Sequence, residues 1–250
     1  MPYYCHKNKK IFYRDEGKGQ TILLLPGNTS SSSIHDTEIE FFSKEYRVIC
    51  PDYPGYGKSD RVERFPVDFW WYNAEMCVQL IRFLEVDDFI VIGTSGGGMV
   101  ALNVAIMSRG SVKCAIADSI PGEFPSENDI ELLMSGRENM TKGQILFWTR
   151  AHGQDWRDVV ELDTMLVLDN AKRGESFYKG RLGEIKCPVL LTGSLADDMV
   201  VNIEVGIANI ARQISMSKIV LFPAGWHTLM LSRPEAFRAE VTGFIEKINL

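Results

Sequence analysis

Phe89-Ile90-Val91-Ile92-Gly93-Thr94-Ser95-Gly96-Gly97 is the stretch on which the fold of this chain turns. Four consecutive apolar residues suit a buried strand, and the apolar stretch Met99 to Met107 that follows suits a buried helix. A G-x-S-x-G therefore falls where a strand turns sharply into a helix. Such a turn holds its central side chain in a strained, exposed position, and glycine on both sides lets neighbouring backbone approach without a Cβ clash. It also puts free N–H groups of a helix start beside Ser95, where a developing oxyanion would need them. Ser95 is thus a candidate nucleophile, with an ordinary Gly/Ser turn as the plain alternative.

Outward from Ser95, short apolar runs alternate with helical patterns. Upstream, Ile11 to Asp15 reads as a strand of a hairpin ending at Gly17 and Gly19. Thr21 to Leu25 reads as a buried strand stopped by Pro26-Gly27, and Arg47 to Cys50 as a strand broken by Pro51. Asp68 is placed to cap a helix with apolar residues at Trp71, Ala74, Val78 and Ile81, ending near Val86. Downstream, the helix after Ser95 ends at Arg109-Gly110, a cation and a glycine suited to a helix C-terminus. Strands are predicted at Val112 to Ala117, Pro188 to Thr192 and Lys218 to Phe222, with a helix through Val205, Ala208 and Ile214 between the last two. Ser232-Arg233-Pro234-Glu235 reads as a capping box opening the final helix. Continuous apolar strands alternating with helices predict an α/β fold, with a mostly parallel central sheet flanked by helices on both faces.

Between about Ile120 and Leu182 the alternation stops. Helices are predicted at Asp129 to Met140, Gly143 to Ala151 and Trp156 to Ala171, between two sheet strands. Residues 1–119 and 183–250 are therefore expected to form the core, and residues 120–182 a helical cap insertion over one end of the sheet. Ligands of open α/β sheets bind beyond the carboxyl ends of the strands, so the insertion would roof that site. Phe124, Met134, Met140, Phe147, Trp148 and Trp156 are its candidate pocket residues, with Trp226 from the core beside them and simple packing as the alternative for each.

Composition narrows the class. With 250 residues, 45% of them hydrophobic, the chain can bury one sizeable core. A net charge of -6 argues against broad attraction to nucleic acid or anionic membrane, and Lys7-Asn8-Lys9-Lys10 reads as a solvated turn. The N-terminal residues Met1 to His6 show no apolar signal core and no stretch reaches the length of a membrane span, which predicts a cytoplasmic protein. Cys5, Cys50, Cys77, Cys114 and Cys187 are scattered, without C-x-x-C spacing, and read as small core residues in a reducing compartment. The four histidines lack metal-ligand spacing, so no metal and no cofactor are expected.

At this point the sequence resembles the α/β-hydrolase fold family over nearly its whole length outside the insertion. The marks are the elbow at Ser95, Leu25-Pro26-Gly27-Asn28 after an early strand, Asp52-Tyr53-Pro54-Gly55-Tyr56-Gly57-Lys58-Ser59 after the next, Leu191-Thr192-Gly193 leading into Asp197-Asp198-Met199-Val200, and Pro223-Ala224-Gly225-Trp226-His227 before Pro234-Glu235. Where many members carry His-Gly in the oxyanion loop, this chain has Pro26-Gly27. The resemblance implies a triad in the order Ser95, Asp197, His227, with backbone N–H groups of Asn28 and Gly96 forming the oxyanion hole. A serine hydroxyl needs a base to take its proton, and that base needs a carboxylate to orient it. His6 and His35 lie in segments expected to be exposed and His152 in the insertion, leaving His227. Asp197 starts a D-x-x-V pattern like the family's acid turn; Asp198, and Asp118 at a strand end, are the alternatives. Asp52 and Ser59 are expected to shape their loop.

The implied activity is a cofactor-independent serine hydrolase that cleaves a small or medium apolar carboxylic ester through an acyl-enzyme. A serine at the elbow argues against dehalogenase or epoxide hydrolase chemistry, which needs a carboxylate nucleophile. Perhydrolase or haloperoxidase-like activity and carbon–carbon bond hydrolysis use the same triad, and a ligand-binding protein on the same scaffold is the alternative from another class. The expected partner is a small-molecule substrate.

Overall fold

The computed structural model describes residues 2–248. Strand β1 (Tyr3–His6) turns back on β2 (Lys9–Glu16) through Lys7-Asn8, both at positive φ as a two-residue hairpin turn requires. The remaining strands are β3 (Thr21–Leu25), β4 (Arg47–Pro51), β5 (Phe89–Thr94), β6 (Val112–Asp118), β7 (Val189–Ser194) and β8 (Ser217–Phe222). They form one sheet in the order β1-β2-β4-β3-β5-β6-β7-β8, antiparallel only where β2 meets β1 and β4. The hairpin expected around Ile11 is therefore made with the strand before it, not across Gly17 and Gly19.

Period-two alternation sorts the strand residues between two apolar layers. Leu23, Leu25, Val91 and Leu191 pack with α2 (Phe69–Phe83) and α3 (Gly96–Met107). Ile22, Leu24, Ile90, Ile92 and Leu190 face α1 (Asp36–Phe42) and the final helix on the other side. Both sides of the central strands are covered, and β3, β5 and β7 are buried at every residue. This is why they read as unbroken apolar runs.

Three helices separate β6 from β7 in sequence: α4 (Glu127–Glu138), α5 (Lys142–His152) and α6 (Trp156–Arg173). Ser126 caps α4, Thr141 and Gln144 form a capping box on α5, and Gly174 ends α6 in the left-handed region. The insertion is fastened to loops after β3 and β4. Ser31 donates to the Ala151 carbonyl at 2.9 Å, and Arg61 makes a forked pair with Asp155 at 2.6 and 2.9 Å. Helices α7 (Ile203–Ala211), α8 (Leu229–Ser232) and α9 (Pro234–Ile248) complete the chain described.

Several expectations need correction. Asp68 stands at the N-cap of α2 but its carboxylate pairs with Lys179 at 2.9 Å and caps nothing. Ser232 closes α8 and its hydroxyl donates to the Trp226 and Thr228 carbonyls, so it forms no capping box with Glu235. His6 and His35 are buried, not exposed. Cys5 is exposed while the other four cysteines are buried, and all five are free. Among the described residues no helix is long and apolar enough to cross a membrane.

Candidate active site

Ser95 sits between β5 and α3 at φ 52° and ψ -128°, a left-handed conformation strained for a residue with a Cβ. Its backbone N–H donates to the Asp118 carbonyl at 2.8 Å, which anchors the elbow to β6. The glycines are sterically required. A Cβ on Gly93 would lie 2.0 Å from the Gly97 carbonyl oxygen, and one on Gly97 would lie 2.2 Å from the Leu25 carbonyl oxygen.

The structure brings Ser95, His227 and Asp197 into one line. Nε2 of His227, in the loop after β8, is 2.9 Å from Ser95 Oγ, and its Nδ1 is 2.9 and 3.1 Å from the two carboxylate oxygens of Asp197. A carboxylate only accepts, so Nδ1 carries the proton and Nε2 is left to accept from the serine hydroxyl. Asp197 is itself held by the N–H groups of Met199 and Val200, at 2.9 and 3.0 Å, and its side chain is fully buried.

The two other carboxylates have different surroundings. Asp198 accepts the backbone N–H of His227 at 2.8 Å. Asp118 is buried under Thr94, Thr192 and the N–H of Met230, at 2.8 to 3.0 Å, and makes no hydrogen bond to the imidazole. Burial pushes its carboxyl up to about 6, against those three hydrogen bonds. Asp52 and Ser59 are likewise committed to their loop: Asp52 accepts from the N–H groups of Ser32 and Lys58, and Ser59 donates to the Asp52 carbonyl.

Asn28 and Gly96 line the same cleft as Ser95, and the backbone N–H of neither donates to another group among the described residues. The carboxamide of Asn28 is fixed from two sides. Its Oδ1 accepts from Trp70 Nε1 at 3.1 Å, and its Nδ2 donates to Asp163 Oδ1 at 2.8 Å. Asp163 also accepts from Tyr56 Oη at 2.6 Å and pairs with Arg137, and it is fully buried. Trp70, Tyr56, Arg137 and Asp163 are neighbours of the candidate site that sequence patterns did not single out. One signal was present: Val159, Asp163, Leu166 and Asn170 share the buried stripe of α6, and an acid on such a stripe needs a partner.

A cavity of about 130 Å³ opens on Ser95, Gly96, Asn28 and His227. Its walls are largely apolar, with Met99, Phe124, Ile130, Leu133, Val167 and Phe177 among them. Among the described residues no lysine or arginine lines it, and Asp129 does. Phe124 thus lies where it was expected, but Trp148 and Trp156 do not. They stack on each other at 5.4 Å over Val160, and Trp148 Nε1 donates to Thr29 Oγ1 at 3.1 Å. Their apolar bulk joins α5 to α6 and the insertion to the loop after β3. Met134, Met140 and Phe147 are also absent from the wall, and Trp226 is 54% exposed outside it. Residue type alone pointed to these side chains; the helix face on which each one falls decided otherwise.

A profile of the alpha/beta hydrolase family matches residues 22–240, and the chain belongs to that family. It is 25% identical to a 2-hydroxy-6-oxo-6-phenylhexa-2,4-dienoate hydrolase of Burkholderia cepacia, over 95% of this chain and 92% of that protein. It is 23% identical to an (E)-2-((N-methylformamido)methylene)succinate hydrolase of Acinetobacter baylyi, over 96% of this chain and 95% of that one. Among solved structures, an enol-lactonase from Burkholderia xenovorans LB400 superposes with a TM-score of 0.76 at 17% identity, over 98% of this chain and all of that chain. These relatives support hydrolase activity on a small molecule.

Proposed function

We propose that the protein is a serine hydrolase that cleaves a small or medium apolar carboxylic ester through an acyl-enzyme, with Ser95 as nucleophile, His227 as general base and Asp197 as its orienting acid. The observation that carries this reading is the 2.9 Å approach of His227 Nε2 to Ser95 Oγ, with Nδ1 held by a buried carboxylate. Ser95 Oγ attacks the ester carbonyl carbon while its proton passes to Nε2. The resulting oxyanion is received by the N–H groups of Asn28 and Gly96. Collapse expels the alcohol, which takes the proton from Nε2; water then enters by the same route, and the carboxylic acid leaves.

Residues 120–182 act as the cap that selects the substrate. An engineered apolar cavity of about 150 Å³ admits benzene, so the 130 Å³ here suits a short acyl group or a small ring. The dienoate and succinate of the two relatives' names are carboxylates, and a site for a carboxylate needs a cation or several free donors. Among the described residues no lysine or arginine lines the cleft, which favours a neutral ester over such an acid as substrate.

A fluorophosphonate probe tests the nucleophile. It is expected to label the native chain and not Ser95→Ala, in parallel with turnover of short 4-nitrophenyl esters. Labelling that persists in the variant removes Ser95 from its role; labelling without turnover of any ester moves the reading to carbon–carbon bond hydrolysis or perhydrolysis by the same triad, and absence of both leaves a binding protein on a hydrolase scaffold.

A further inference from the structure

We infer that Asp129 sets the charge selectivity of the Ser95 cleft: it excludes substrates whose acyl or alcohol part bears a carboxylate or phosphate, and favours those presenting a hydroxyl, an amide N–H or an ammonium group. This rests on the reading of that cleft as the substrate site.

Asp129 is the third residue of α4, in the helix turn that closes one side of the cavity. A carboxylate in a first helical turn has an ordinary explanation, since it complements the helix dipole. Its Oδ1 also accepts the Val201 N–H at 2.8 Å, which ties α4 to the loop that carries Asp197. Both roles are structural, and neither requires the side chain to face substrate. Three further observations give it a second role.

First, Asp129 is an anion in the wall of a cavity whose other members are mainly apolar, with Ile130, Leu133, Phe124 and Met199 as neighbours. Second, no lysine or arginine forms an ion pair with it among the described residues; Ser126, whose hydroxyl accepts the Asp129 N–H at 3.4 Å, is its polar neighbour on α4. Burial raises its carboxyl from the ordinary value; the Val201 N–H acts against this, Asp197 adds to it, and Ser126 and His227 act against it. Third, the remaining polar side chain of the cap in this wall, Asn170, has its Nδ2 committed to the Val67 and Leu166 carbonyls, so its amide donors are not free for an anion in the cavity. Beyond Ser95, His227 and the proposed oxyanion-hole amides, the cleft thus presents one carboxylate that has no lysine or arginine partner among the described residues, with the Ser126 hydroxyl as a side-chain donor beside it. A second anion brought into this largely apolar space meets repulsion from that carboxylate, with no lysine or arginine among the described residues lining it. A donor finds an acceptor that is already partly desolvated and has no lysine or arginine partner among the described residues.

The test uses matched 4-nitrophenyl esters of hexanoate, 6-hydroxyhexanoate, 6-(trimethylammonio)hexanoate and adipate, compared by kcat/KM ratios within each variant. In the native protein the adipate monoester is expected to fall about tenfold or more below hexanoate, and the hydroxy ester to match or exceed it. Asp129→Asn keeps an acceptor for Val201, and is expected to raise the adipate-to-hexanoate ratio about fivefold or more; Asp129→Lys is expected to raise it further. A ratio that is the same in all three proteins, or a native preference for adipate, overturns the proposal.

Binding to Ser95→Ala separates this from the catalytic reading. Tryptophan fluorescence titrations with methyl hexanoate, methyl 6-ammoniohexanoate and monomethyl adipate are expected to place monomethyl adipate about tenfold weaker than the other two, and Asp129→Asn in that background to close the gap. Equal affinities, or no binding of methyl hexanoate and methyl 6-ammoniohexanoate at millimolar concentration, overturn the proposal. This binding pattern without any ester turnover in the native protein would sink the hydrolase reading alone.

Discussion

Asp198 accepts the backbone N–H of His227 at 2.8 Å, while the adjacent residue Asp197 faces the ring of the same histidine. Two neighbouring carboxylates thus share the placement of one histidine, the first setting where its loop lies and the second which ring nitrogen holds the proton. Asp197→Asn is expected to lower kcat by roughly 10³–10⁴-fold, because a carboxamide can donate to Nδ1 and stabilise the wrong tautomer. Asp198→Asn retains an oxygen acceptor for the N–H, and is expected to stay within about tenfold of native. Asp118→Asn is expected to do much less than Asp197→Asn, since Asp118 does not touch the ring. Steady-state kinetics on one ester ranks the three; a larger loss at Asp198 or Asp118 reassigns the acid.

The contact of Asp163 with Asn28 joins the insertion to the proposed oxyanion hole. Asp163→Ala leaves Arg137 buried without its partner, and is expected to destabilise the fold by about 3–5 kcal/mol. Asp163→Asn is the more informative change. It preserves the shape and is expected to lower kcat by roughly 10–100-fold with little change in KM, because the Asn28 N–H loses its alignment and substrate contacts do not. Parallel losses in KM and thermal midpoint, with kcat intact, would mean that the residue supports only the fold.

Trp148 and Phe124 separate packing from specificity. Trp148→Ala opens the stack on Trp156 and is expected to destabilise the protein by about 3–5 kcal/mol while leaving the preferred acyl length unchanged. Phe124→Ala enlarges the cavity wall and is expected to move that preference toward longer chains. Thermal melts and a series of 4-nitrophenyl esters of increasing acyl length read both. A shift in chain-length preference with Trp148→Ala would return that residue to the pocket.

Acid stability follows from two buried histidines. Burial lowers His35 and His152 to about 4 from the ordinary value near 6.5, so the folded state binds fewer protons than the unfolded chain between those pH values. Stability is therefore full above about 6.5 and is lost as pH falls toward 4. Asp118, raised to about 6, works in the opposite direction below that pH and offsets part of the loss. His152 Nδ1 accepts the Gly57 N–H at 3.0 Å and its Nε2 donates to the Thr29 carbonyl at 2.9 Å, so protonation turns an acceptor into a second donor facing a donor. His152→Gln can keep both bonds, and is expected to flatten the fall in denaturation midpoint between pH 6.5 and 4. An unchanged slope would remove His152 as a cause.

The sheet, its helices and the candidate triad were legible because they depend on local order. Apolar runs such as Phe89 to Ile92 mark strands buried on both faces, and the G-x-S-x-G after them marks the elbow through backbone sterics that hold whatever lies around it. His227 and Asp197 were found through short segments whose resemblance to the family lies within a few residues of each. Short α1 and α8, the first strand and the fate of Asp68 and Ser232 were not legible, since a cap or a four-residue helix is settled by which partner is nearer in space. The same holds for the pocket. Composition showed that the insertion is rich in tryptophan, phenylalanine and methionine, but which of them faces Ser95 depends on the rotation of each helix and on the loop it packs against. Only the tertiary structure sets Trp148 against Thr29, Asp163 beneath Asn28 and Asp129 in the cavity wall, because contacts between residues far apart in the chain are chosen by packing and partner satisfaction and leave no periodic trace in the sequence.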